Sequence, residues 1–133
     1  MSFSDTARLM SELDHARILR LLPQRGVPDS LSELLQGAEL LAPRELPAQV
    51  VTMHSHLLVE DPASGARQEL TLSYPIDADP AQGRISVLSP AGTSLLGLEE
   101  GETAGWLTPD GRRHALRLVR ILYQPEASGD YLR

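Results

Sequence analysis

Two pairs of side chains in this sequence have the types and spacing that could bind a metal ion. His54 and His56 are two positions apart, which would place both imidazoles on one face of a β-strand. Asp29 and Glu33 are one helical turn apart and could share a divalent cation through oxygen ligands. The histidine pair needs a third ligand, and no cluster of histidines or acids in the sequence supplies one.

Both pairs also have a structural explanation, which we favour. Ser30 followed by Glu33 is a capping-box pattern, and Asp29 would place negative charge at the same helix N-terminus. Around the histidines, apolar residues alternate with polar ones, which is typical of a strand with one exposed polar face. We therefore predict no metal ligands and no cofactor.

The composition gives little support for catalytic chemistry. The chain has no cysteine and its twelve basic residues are all arginine, which excludes thiol catalysis, Schiff-base lysines and a P-loop lysine. A Ser-His-Asp triad has no nucleophile-elbow motif to support it. Gly97, Gly101 and Gly105 punctuate turns and do not form a phosphate-binding loop. We predict no catalytic residues and a protein that is not an enzyme.

The balance of charge argues against nucleic acids and membranes as direct partners. Eighteen acidic residues against twelve arginines give a formal net charge of −6, so no basic field is available to hold phosphates. No secretory signal is readable, and no apolar run approaches the roughly 18 residues that span a bilayer. We predict a soluble, cytoplasmic protein that binds neither DNA nor a membrane.

The first 46 residues are predicted to form a short antiparallel helical hairpin, or arm. Apolar residues recur at helical spacing over residues 5–22, Pro23 ends that helix, and a second apolar stripe runs over residues 31–42. The short loop between them favours helices that fold back on each other. Two prolines in residues 43–47 then mark a boundary between the arm, 1–46, and a second domain, 47–133.

After residue 47 the hydrophobic period changes from about 3.6 to 2. A short helix is expected after Ser89, its N-cap, and four strands are predicted: 51–60, 70–74, one around Trp106, and 114–123. Arg117 and Arg120 have opposite parity along the last strand, which predicts a β-bulge. The fold class is therefore α+β: a helical hairpin followed by a small antiparallel sheet with one short helix.

Three stretches of the second domain resemble the C-terminal domain of the bacterial Gre transcription elongation factors: residues 85–102, 106–111 and 118–123. Four more segments resemble a branch of that family with a shortened coiled coil: 50–53, 74–75, 95–98 and 123–132. The resemblance covers residues 47–132 and implies an FKBP-like fold. It also implies a partner, bacterial RNA polymerase, because the Gre domain docks on β′ subunit helices at the rim of the secondary channel.

The resemblance assigns a docking role to one turn of the sheet domain. Leu88, Ser89 and Pro90 match the turn that Gre proteins present to the polymerase rim, with Leu88 where an Asp or Asn often stands. The same residue types also serve as strand ends and helix caps, so this turn has a structural interpretation as well. The two interpretations are compatible.

In Gre factors, two acidic residues at the tip of a long coiled coil help to hold a catalytic Mg²⁺. Here the tip carries Arg25, Asp29 and Glu33, and arms of about 13–18 residues would span only about 20–27 Å. We predict a monomeric, non-catalytic regulator that occupies the channel entrance, competes with Gre-type factors and does not stimulate transcript cleavage.

Two other functions stay open. A peptidyl-prolyl isomerase would suit an FKBP-like fold, although fold alone confers no activity and the chain has only five aromatic residues for a pocket. A stimulator of transcript cleavage would use Asp29 or Glu33 as the metal-holding acid.

Overall fold

The computed structural model describes residues 8–21 and 27–129, and Arg25 lies outside them. The helices are α1 (Glu12–Leu21), α2 (Asp29–Gly37) and α3 (Pro90–Leu95). The strands are β1 (Leu9–Ser11), β2 (Glu39–Leu41), β3 (His56–Glu60), β4 (Arg67–Ser73), β5 (Arg84–Ser86), β6 (Thr103–Leu107) and β7 (Arg113–Tyr123). The α+β class is therefore confirmed as a mixture of helix and sheet, while the FKBP-like fold stays a prediction.

The main sheet has five strands in the order β5-β4-β3-β7-β6. The β3–β4, β3–β7 and β6–β7 pairs are antiparallel, as predicted, but β4 and β5 are parallel. The prediction of a wholly antiparallel sheet is wrong at this edge. Residues 74–83 carry the chain back far enough for Thr71 to pair with Arg84, so β5 runs in the direction of β4.

The longest strand contains the predicted β-bulge. Leu58 of β3 pairs with Arg120, whereas its neighbour Val59 pairs with Leu118, so Val119 is the extra residue. The bulge resets the register, and Arg117 and Arg120 are both exposed. The opposite parity of two arginines therefore predicted this bulge, while a second register shift, between His56 and Leu57, was not predicted.

The helical segment is shorter than its apolar pattern predicts. Helix α1 begins at Glu12, and α2 ends at Gly37, because Leu9–Ser11 and Glu39–Leu41 pair as parallel strands. With 10 and 9 residues, the helices span about 15 and 14 Å, which corrects the predicted 20–27 Å. A ring nitrogen of His15 in α1 lies 2.9 Å from the Leu35 carbonyl in α2, so the two helices are in contact.

The capping-box prediction for α2 is wrong. The N-cap position is Pro28, which has no side-chain oxygen, and no side chain caps this helix. Ser30 therefore lies inside the first turn, one residue beyond Asp29. The chain enters the helix at this proline, whose carbonyl accepts from the Leu31 and Ser32 amides at 3.1 Å.

Side chains from the helical segment and from the sheet share one hydrophobic cluster. Met10 and Ile18 from the first half of this segment and Leu31 and Leu35 from α2 are buried in it. They pack there with buried residues of the sheet and of α3, which include Leu57, Val59, Leu72, Leu95 and Leu118. The two helices thus cover the sheet instead of standing apart from it. None of the described helices combines the length and apolar character needed to cross a bilayer.

Candidate docking groove

The turn from Ser86 to Pro90 is built around the Ser89 side chain. The Ser89 hydroxyl donates to the Ser86 carbonyl at 2.7 Å and accepts from the Gly92 amide at 3.0 Å. Ser89 is thus the N-cap of α3, as predicted, and Pro90 occupies the first helical position. The Leu88 side chain packs partly against the core. Of the three predicted docking residues, Pro90 is therefore the exposed one.

The first turn of α2 lies close to this same turn. A cavity of about 650 Å³ separates α2, α3 and β6, and its walls include Pro28, Ser30, Leu34, Pro90, Trp106 and Leu107. We call it the composite groove, because its walls come from both the helical segment and the sheet. The structure therefore brings Pro90 next to the start of α2, a proximity that the sequence did not predict.

Trp106 and Leu107 are groove residues that sequence reasoning missed. Leu107 is 60% exposed and is one of six large apolar side chains that are exposed among the described residues. The available signal was the single tryptophan of the chain, directly followed by a leucine and a turn. Trp106 is the only phenylalanine, tyrosine or tryptophan among the described residues that line this groove.

Arg8 fixes one end of the groove. Its guanidinium donates to the carbonyls of Ser94 and Leu96 at 3.0 and 2.8 Å, so it satisfies the last carbonyls of α3. Burial lowers the pKa of Arg8, and the negative charge of Glu102 partly offsets this effect. Gly97 has a φ of +80°, and a Cβ at this position would lie 2.8 Å from the Cβ of Arg8. The glycine thus allows both the turn after α3 and the approach of Arg8.

The predicted tip acids lie in the first two turns of α2. Asp29 and Glu33 are both exposed on α2. The described residues contain no group of three or more histidines or acids that could hold a metal ion. Asp29 lies in the first turn of the helix, where its charge is favourable to the helix dipole.

The two histidines do not share a strand face, so that prediction is wrong. His54 precedes β3 in a turn with a φ of +67°, and its ring packs edge-to-face on Tyr74 with centroids 5.3 Å apart. His56 lies on β3, where Nε2 contacts Glu69 at 2.6 Å and Nδ1 contacts Thr71 at 2.8 Å. The turn at residues 52–55 ends the alternation that the sequence showed, and it separates the two imidazoles.

A second cavity of about 710 Å³ lies between the turn after β3 and strands β6 and β7. The Trp106 ring, which this cavity shares with the composite groove, stacks on His114 with centroids 5.7 Å apart and an interplanar angle of 13°. The indole therefore lies between the two cavities and forms a wall of both.

Comparisons with known proteins agree on the ancestry of the chain. Residues 46–123 match the family model described as "Transcription elongation factor, GreA/GreB, C-term". The "Regulator of nucleoside diphosphate kinase" of Escherichia coli K12 is 37% identical over 93% of this chain and 95% of that protein. GreA of Christiangramia forsetii is 33% identical over 61% of this chain, which spans about half (51%) of that factor.

Solved structures give the same relationship. A prokaryotic GreA/GreB elongation factor from Nitrosomonas europaea superimposes with a TM-score of 0.75 at 36% identity, covering 90% of this chain and all of that one (100%). The transcription factor Gfh1 superimposes with a TM-score of 0.51 at 34% identity, covering 71% of this chain and 60% of that one. The similarity thus extends over most of the chain, including its helical segment.

Proposed function

Because the chain belongs to the GreA/GreB family of transcription elongation factors, as its sequence predicted, we propose that it is a non-catalytic regulator that binds RNA polymerase. The composite groove and the turn at residues 88–90 dock on β′ helices at the rim of the secondary channel. The observation that carries this proposal is the position of exposed Pro90 beside the exposed Leu107 in one groove. Bound there, the protein competes with Gre-type factors for the same rim.

The two parts of the chain have different roles in this function. Residues 47–133 supply the turn and the strands that contact the polymerase, and residues 1–46 stand at the channel entrance. Residues 28–34 of α2 add a wall to the groove, so the first part also contributes to docking. In this proposal the protein acts as a monomer, because each copy carries a whole groove.

The proposed lack of cleavage activity follows from the reach of the acids. Asp29 and Glu33 lie on a helix of 9 residues, about 14 Å long. Leu31 and Leu35 of that helix are buried in the core, so α2 is held against the sheet. A carboxylate so placed stays near the body of the protein and does not reach a distant active centre.

A pair of matched substitutions tests the docking surface. Leu107→Glu places a charge in the groove, whereas Ile76→Glu places the same charge at an aliphatic residue that is 89% exposed and lines a different cavity. Binding of each purified variant to core RNA polymerase is measured by fluorescence anisotropy. We expect Kd to rise at least tenfold for Leu107→Glu and less than twofold for Ile76→Glu. Equal effects, or no binding by the unaltered protein at micromolar concentration, contradict the proposal.

Backtracked elongation complexes test the regulatory part of the proposal. The protein alone should leave the rate of RNA cleavage unchanged, and increasing amounts should suppress cleavage stimulated by added GreA. Leu107→Glu should suppress it only at higher concentration, because its binding is weaker. Stimulation of cleavage by the protein alone would instead establish the alternative function that uses Asp29 or Glu33.

A further inference from the structure

A buried carboxylate joins α1 to the sheet domain. The Asp14 side chain is only 2% exposed, and its Oδ2 accepts a hydrogen bond from the Met53 amide at 3.0 Å. Asp14 belongs to α1, and Met53 lies in the segment that leads into β3. Acids are almost never buried without a specific partner, and the Met53 amide is such a partner for Asp14.

The segment that contains Met53 is held by a second carboxylate. The Thr52 hydroxyl donates to Glu126 at 2.7 Å and also contacts the Ser55 hydroxyl at 2.9 Å. Glu126 comes from the turn after β7, so acids from two distant parts of the chain meet on residues 52–53. Their charges repel each other across a poorly solvated space.

Several other groups surround Asp14. Arg17 on α1 supplies a positive charge, and Tyr74, which follows β4, contributes a buried phenol. His54 packs its ring on Tyr74 from the turn at residues 52–55. Ser11 lies beside the backbone of Asp14, whose amide donates to the serine hydroxyl at 2.9 Å. Arg17 and the Met53 amide favour ionised Asp14, and burial and Glu126 oppose it.

Burial has the largest effect on this carboxyl group. Together with the charge of Glu126, burial raises the pKa of Asp14 to about 7, against the opposing effects of the Met53 amide, Arg17 and Ser11. With α1 undocked, Asp14 would face water and regain an ordinary carboxyl pKa near 4. The docked state therefore binds a proton that the undocked state releases.

We propose that Asp14 is an acid-tightened latch: its protonated form holds α1 against residues 52–53, and its ionisation loosens the helical segment from the sheet. His15 links α1 to the Leu35 carbonyl of α2, and α2 forms one wall of the composite groove. Loosening the latch thus weakens one of the contacts that hold that wall, in addition to the buried Leu31 and Leu35. The latch does not depend on which partner occupies the groove, so it can be tested without RNA polymerase.

The difference in the pKa of Asp14 between the docked and undocked states determines how strongly undocking of α1 depends on pH. The opening equilibrium constant is the ratio of protein with α1 undocked to protein with α1 docked. Between pH about 4 and 7, undocking releases a proton, so this constant rises by up to tenfold per pH unit. Above pH 7 Asp14 is ionised in both states and the constant levels off. From pH 5 to pH 8 the expected increase is roughly 50- to 100-fold.

Hydrogen exchange of the Met53 amide in the full chain measures this opening directly. Rates between pH 5 and pH 8.5 are corrected for the intrinsic pH dependence of amide exchange, which leaves the opening constant. We expect the unaltered protein to show the increase and the plateau. Asp14→Asn keeps an oxygen acceptor for the Met53 amide but cannot ionise, so its opening constant should not change with pH. Asp77→Asn, at an exposed acid, should behave like the unaltered protein.

A second variant keeps the test decisive if Asp14→Asn does not fold. Glu126→Gln removes the repelling charge, which should lower the pKa of Asp14 and start the plateau at a lower pH. Persistence of the full pH dependence in Asp14→Asn, or an opening constant in the unaltered protein that does not vary with pH, overturns the proposal. Either result leaves the docking experiment with RNA polymerase unaffected.

Discussion

The backbone of Gly92 lies directly against the Ser86 carbonyl. A Cβ atom at position 92 would overlap that oxygen and lie 2.8 Å from the Ser86 carbonyl carbon. Gly92→Ala must therefore displace the turn that Ser89 closes, and we expect it to lower the free energy of unfolding by about 2–4 kcal/mol. Urea denaturation followed by circular dichroism measures the loss.

Gly37→Ala is the matched control for this substitution. Gly37 ends α2, and a Cβ atom there would meet nothing within 4 Å. Alanine should be neutral or stabilise the helix by up to about 1 kcal/mol, because it restricts the unfolded chain and has the higher helix propensity. A loss at Gly37 as large as that at Gly92 would show that close contact with Ser86 is not the cause.

Two serines that the sequence marked as helix caps should differ in their contribution to stability. The Ser89 hydroxyl bonds to the Gly92 amide, so Ser89→Ala should cost about 1 kcal/mol in the free energy of unfolding. Ser30 follows Pro28 and Asp29 and caps nothing, so Ser30→Ala should change it by less than about 0.5 kcal/mol. Thermal melts of both variants measure the two losses of stability. Equal losses would indicate that Ser30 does cap α2.

Features with a local cause were predictable from the sequence. Ser89 and Pro90 form a cap within four residues, and the bulge between Arg117 and Arg120 follows from their parity. Each of these signals lies within one element. Local propensity and hydrophobic period were sufficient for such features.

Features that join distant segments were not predictable in this way. Leu41 continues the apolar stripe of α2, yet it pairs in parallel with Ser11, thirty residues earlier in the chain. The composite groove likewise depends on α2 packing beside Trp106, which no spacing in the sequence encodes. Tertiary packing overrode helix periodicity at the end of α2, where Gly37 was the only local signal for a stop.

Gln124, directly after β7, is hydrogen-bonded to residues 47–50, where the sheet domain begins. Its Nε2 donates to the carbonyls of Pro47 and Val50 at 2.8 and 2.7 Å, and the side chain is 3% exposed. Gln124→Ala removes the donor to the buried Val50 carbonyl and the acceptor of the Ala127 amide, so we expect the free energy of unfolding to fall by about 2–3 kcal/mol. Gln68→Ala, on the exposed part of β4, should cost less than about 0.5 kcal/mol in the same urea titration. Similar losses for both variants would contradict the role assigned to Gln124.

The global stability of the protein should carry the same proton linkage as the Asp14 latch. Burial raises the pKa of Asp14 to about 7 in the folded state, from an ordinary value of 3.8. The folded protein therefore binds the proton more tightly than the unfolded chain does. This contribution is fully present below pH about 4, and it is lost as pH rises through 7, by about 4 kcal/mol at most.

Asp14→Asn separates this contribution from those of the other acids. The variant cannot ionise at position 14, so it should exceed the unaltered protein in unfolding free energy at pH 8 and lose that advantage at pH 4. Urea titrations at one-unit intervals from pH 4 to pH 8 give the difference at each pH, with Asp77→Asn as the exposed control. A difference that stays constant with pH would mean that Asp14 ionises alike in the folded and unfolded states. Its burial beneath α1 would then be tolerated without cost, because the Met53 amide and Arg17 would fully compensate the lost solvation.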